Sequence, residues 1–105
     1  MPLPHEIADL LNLPENGAGA ATLDTIESTL TTGYAAKLAL EAERWRIEQR
    51  LGEVARDAGE VRAHSVAAEI AELSDRLETT DGELARLSSL LRQLQGVRRR
   101  RREAA

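Results

Sequence analysis

Five consecutive arginines, Arg98, Arg99, Arg100, Arg101 and Arg102, are the densest chemistry in this chain of 105 residues. Such a run binds polyanions: nucleic-acid phosphates, an anionic membrane surface or an acidic protein groove. It also complements the negative end of a helix that terminates there. The surrounding charge is uneven. Residues 98–105 carry +4, five Arg against Glu103, whereas the remainder holds nine basic and seventeen acidic groups, or −8, within a net charge of −4. That acidic body repels a polyanion, and no zinc finger or RNA-binding sheet motif accompanies the run. Nucleic-acid association anchored by Arg98–Arg102 is therefore the alternative function, behind protein–protein interaction.

Other reactive side chains form no mutually supporting set. Glu69, Glu72 and Asp75 lie close in sequence, but acid–base work needs one carboxyl desolvated and aimed at a substrate. Here they read as a solvated helix face, with Glu72 and Arg76 spaced for an i, i+4 ion pair. Ser88-Ser89 has no base nearby in sequence, and Gly17-Ala18-Gly19 lacks the preceding strand of a phosphate loop. His5 and His64 lie far apart and the chain has no cysteine, so neither a thiolate nor a histidine-rich metal site is expected. The reading is a non-enzyme with no metal and no cofactor. Tyr34 and Trp45 are the only aromatics. Two rings do not make a row of stacking platforms for single strands; they suit an interface or a helix seam.

Positioning these residues falls to helices. Prolines stand at 2, 4 and 14 and nowhere later, and the rest is rich in Ala, Leu, Glu and Arg, strong helix formers. No period-two alternation marks a strand. Residues 1–14 hold a short amphipathic helix: Pro4 suits its first position, Ile7, Leu10 and Leu11 share a face, and Pro14 stops it. This face is the candidate docking surface for a partner groove, or else it folds back over its own chain. Residues 15–22, with two glycines and no bulky side chain before Thr22, read as a flexible linker.

Residues 23–97 read as a helical hairpin with its turn near 57–61. Its first helix starts at Thr22–Asp24, where Thr22 or Asp24 can cap it. Leu23, Ile26, Leu30, Tyr34 and Leu38 form one stripe; Leu40, Ile47, Leu51, Val54, Ala58 and Val61 form a second, with Trp45 between. The combined face is wider than one seam requires. The second helix carries the clearest pattern: Val66, Ile70, Leu73, Leu77, Thr80, Leu84, Leu87, Leu91 and Leu94 are spaced alternately by 4 and 3, a heptad seam with one polar break. Thr80-Asp81-Gly82-Glu83 has capping-box spacing, but the heptad phase runs through it, so one continuous helix is expected. Residues 98–105 read as a basic tail.

The expected fold is all-α: a long antiparallel hairpin or coiled coil, completed to a four-helix bundle by dimerisation, with a short N-terminal helix on a linker. Leu30, Leu38, Trp45, Leu51, Ile70, Leu73, Leu77, Leu84, Leu87, Leu91 and Leu94 are the candidate helix-pairing and oligomer contacts. In general character the chain resembles small bacterial coiled-coil adaptors, without the motif of any one family. The expected function is a structural or regulatory protein–protein interaction module, partnered by a second copy or a larger protein. No apolar run reaches the length of a bilayer span, and MPLPHEIADLL lacks the basic start and apolar stretch of a signal peptide, so a soluble cytoplasmic protein is expected.

Overall fold

A computed structural model describes residues 2–14, 19–57 and 63–104. Among these residues the chain forms three α-helices and no strand: α1 (Leu3–Leu11), α2 (Leu23–Arg56) and α3 (Ala63–Ala104). Residues 15–18 of the expected linker, the expected turn at 57–61 beyond Asp57, and Ala58 and Val61 of the second stripe lie outside the described residues.

Helix boundaries follow local chemistry. Pro4 lies in the first turn of α1, where its missing N–H costs nothing. At the other end the Asn12 N–H bonds the carbonyls of Ala8 and Asp9, and the Leu13 N–H bonds that of Leu10, shortly before Pro14. Thr22 caps α2: its Oγ1 accepts the Thr25 N–H at 3.1 Å, and its carbonyl takes the Ile26 N–H at 3.0 Å. α3 runs unbroken through Thr80–Glu83 and on through the arginine run. The threonine and glutamate do not start a new helix because the seam on either side keeps one phase.

The packing divides into two units, Met1–Leu38 with Ala85–Ala105, and Ala39–Leu84. In the first, Leu3 and Ile7 of α1, Ile26 and Leu30 of α2, and Leu87, Leu91 and Leu94 of α3 are buried. Ile7 is 0 % exposed, so α1 folds back onto its own chain. In the second, Ile47 and Val54 of α2 pack with Leu73 of α3, flanked by Leu51, Val66, Ile70 and Leu77. Thr80 is buried there as well. Within each unit early residues of one long helix meet late residues of the other, so the pair is antiparallel: Tyr34 bonds Gln95 in the first, and Arg50 bonds Glu69 in the second.

α2 departs from the two-stripe expectation. Its buried positions, Ile26, Leu30, Gly33, Ile47 and Val54, share one heptad frame. Tyr34, Leu38 and Trp45 lie off it and are exposed. The frame is hard to see in the sequence because Gly33, Lys37 and Arg44 occupy three of its places. Gly33 is there for a reason of fit: a Cβ on it would run into Leu91 Cδ2.

Candidate functional site

The arginine run is built into the first unit as the last turns of α3. Arg98 Nε donates to Glu27 Oε1 at 3.3 Å, and Arg102 Nη2 donates to the same oxygen at 3.1 Å. Arg101 Nη2 donates to the Ala21 carbonyl, just ahead of the Thr22 cap. Spacing explains the division of labour. Arg98 and Arg101 continue the 4-and-3 alternation of the seam past Leu94, so they point toward α2 and are half-buried, whereas Arg99 and Arg100 are exposed. Glu27, in the second turn of α2, also sits favourably near that helix's positive end.

Beside this clamp lies a cleft of about 480 Å³. Its walls come from all three helices: Leu10 and Leu11 from α1, Ile26 from α2, and Val97 and Arg100 from α3. The three residues expected to dock a partner thus separate. Ile7 is sealed inside the unit, while Leu10 and Leu11 are half-buried and open to the cleft.

The second unit presents a different surface. Arg46 and Arg76 each donate to Glu43, at 2.9 Å. Arg44 Nε lies 3.0 Å from Glu48 and 3.1 Å from Asp81. Arg50 reaches Glu69 at 2.8 Å and Glu53 at 3.4 Å. Arg76 therefore bridges to the opposite helix, where the sequence had paired it with Glu72. The Arg46 and then the Arg76 hydrogen bonds hold the Glu43 carboxyl below the usual carboxylate range. The hydrogen bond to Glu69 raises Arg50 further, which keeps it charged throughout. Each of these carboxylates is thus engaged by an arginine, within its own helix or across the pair. Among the described residues no three metal-ligating side chains converge, and no helix is long and apolar enough to cross a membrane. His5 and His64 are exposed.

The chain matches no family model, no curated protein and no solved structure at a significant level.

The expected helix-pairing residues divide by exposure. Leu30, Leu73, Leu84, Leu87, Leu91 and Leu94 are buried, and Leu51, Ile70 and Leu77 half-buried. Leu38 and Trp45 are 67 % and 62 % exposed. Each belongs to α2, Leu38 to the first unit and Trp45 to the second. Tyr34 is partly tied down, its hydroxyl accepting from Gln95 Nε2 at 3.2 Å. Gly33, packed against Leu91, and Gly96, in the cleft wall, did not stand out in the sequence. Glu27 did carry a signal: it is an acid early in α2, at the end to which an antiparallel hairpin returns the arginine run, and Arg98 and Arg102 meet it there.

Proposed function

We propose that the protein is a non-enzymatic protein–protein interaction module that associates through the outer face of α2. Trp45 carries this reading. A tryptophan 62 % exposed on a helix that already buries its own seam is costly to leave in water, and Trp is the residue most enriched among interface anchors. Leu38, still more exposed, supports it in the same way. Ala42 lies one turn before Trp45 and is small and exposed, which permits a neighbouring helix to approach closely. A second copy is the simplest partner, because a two-fold interface uses the same patch on both subunits and so covers Trp45 of each.

The test is solution mass by light scattering, for the wild-type chain and for Trp45→Glu combined with Leu38→Glu. The wild type is expected to be a dimer, and the double variant a monomer of unchanged helicity by circular dichroism. A wild-type monomer overturns self-association. A double variant that remains dimeric removes this face from the interface.

A second reading, nucleic-acid association through the arginine run, draws on Arg99 and Arg100, which are exposed at the end of α3. Arg98, Arg101 and Arg102 are engaged with Glu27 and Ala21, which weakens the run as a polyanion site. Truncation after Val97 tests it. Unchanged retention on a polyanion column in rising salt rejects this reading.

A further inference from the structure

We infer that the outer face of α2 pairs with the same face of a second copy in antiparallel orientation, the two-fold axis crossing α2 between Leu38 and Glu41; this rests on the association proposed above and adds its direction. Three of the four large apolar side chains exposed among the described residues, Tyr34, Leu38 and Trp45, stand on this one continuous helix. Thr31, Glu41 and Glu48 fill the places around them. Together the six are spaced 3, 4, 3, 4 and 3 and all are exposed, so they form a second seam offset from the buried one. Its places are symmetric about the point midway between Ala39 and Leu40, with an aromatic ring second from either end. A copy laid on it in reverse therefore meets it place for place.

Charge chooses between the two directions. In a parallel two-fold pair each residue faces its own counterpart, so Glu41 would meet Glu41 and Glu48 would meet Glu48. Like charges so placed disfavour the pairing. Antiparallel, Tyr34 lies on the partner's Trp45, a contact made twice and suited to two rings. Glu48 then faces the partner's Thr31. Glu41 faces the partner's Leu38, with the partner's Lys37 next to it. Lys37 and Glu41 hold no ion pair within their own chain among the described residues, so this contact supplies each with a counter-charge. The two packed units, each counted by itself, repeat the pattern. Residues 1–38 with 85–105 carry eight basic and six acidic groups, or +2, and residues 39–84 carry six and twelve, or −6. Antiparallel α2 helices set the basic unit of each copy beside the acidic unit of its partner, whereas parallel helices set −6 beside −6.

Engineered cysteines test the direction, because the chain has none of its own. Thr31→Cys and Glu48→Cys are made as separate full-length variants. Both positions are exposed, so helicity by circular dichroism is expected to match the wild type. In the antiparallel dimer residue 31 lies opposite the partner's residue 48. The two copies of either residue alone stand about 25 Å apart along the axis, beyond the roughly 7 Å between Cα atoms that a disulfide spans. Each variant is oxidised alone and as an equimolar mixture combined under reducing conditions. Covalent dimer is expected from the mixture and not from either variant alone. Covalent dimer from each variant alone, or none from the mixture, overturns the antiparallel pairing. Solution mass separates this from the underlying reading: a wild-type monomer overturns both, whereas a wild-type dimer with the wrong cross-links overturns the direction and leaves self-association standing.

Discussion

Two glycines inside long helices behave oppositely, and the difference lies in their surroundings. Gly82 on α3 has no atom within 4 Å of the position a Cβ would take, whereas Gly33 on α2 faces the buried Leu91. Glycine in a helix interior is worse than alanine by roughly 1 kcal/mol. Gly82→Ala should therefore stabilise the fold by up to about 1 kcal/mol, read as a higher denaturant midpoint with unchanged slope. Gly33→Leu adds a side chain where Leu91 already sits, and should cost about 1–3 kcal/mol through overpacking. If the two changes shift the midpoint in the same direction, the close approach at Gly33 is wrong. Thr22 is a second residue whose role is local: Thr22→Ala should lose about 1 kcal/mol of capping.

Helices differ in how evenly they are held. Along α3 the seam is only half-buried at Val66, Ile70 and Leu77, but closed at Leu84, Leu87, Leu91 and Leu94. Leu87 is 0 % exposed. Truncating a fully buried leucine removes both transfer energy and packing, so Leu87→Ala should cost about 2–5 kcal/mol. Leu77→Ala, at a half-open position, should cost clearly less when both are measured by urea unfolding under the same conditions. Equal costs would mean that the packing is uniform along the helix. The N-terminal helix belongs to the well-held end, because the buried Ile7 anchors it.

At the scale of the whole chain, charge sets the response to pH and salt. Glu43 has a folded pKa below its ordinary value because Arg46 and Arg76 favour its ionised form. A depressed carboxyl contributes stability at pH values above its unfolded pKa, about 4.3. That contribution is lost as the pH falls through the folded value. Stability should therefore decline as pH drops from about 5 toward 3, and Glu43→Gln should flatten that decline without altering the response near neutrality. Denaturant midpoints across this window check it, and an unchanged slope in the variant would show that Glu43 is not among the groups responsible. Arg50 is raised by Glu69 and stays protonated throughout, so it adds no pH dependence there. The cross-helix pairs at Glu43, Arg44 and Arg50 are solvent-exposed; they contribute more to register than to net stability and weaken in salt.

The sequence by itself determined what depends on near neighbours along the chain. Helix formation followed from composition, the α1 boundaries from Pro4 and Pro14, the α2 start from Thr22, and the α3 seam from aliphatic residues at heptad spacing. Continuity through Thr80–Glu83 followed from the unbroken phase. Only tertiary structure decided which face of α2 is buried, because Gly33 reads as a defect until Leu91 is seen to occupy its space. The same holds for the fate of Ile7, whose short amphipathic pattern fits a foreign groove as well as its own chain. It holds for the arginines too, which look alike in sequence and separate only once Glu27 and the Ala21 carbonyl are brought beside them. The cleft is the extreme case. Its walls come from three helices, and no periodicity within one helix records where another helix ends.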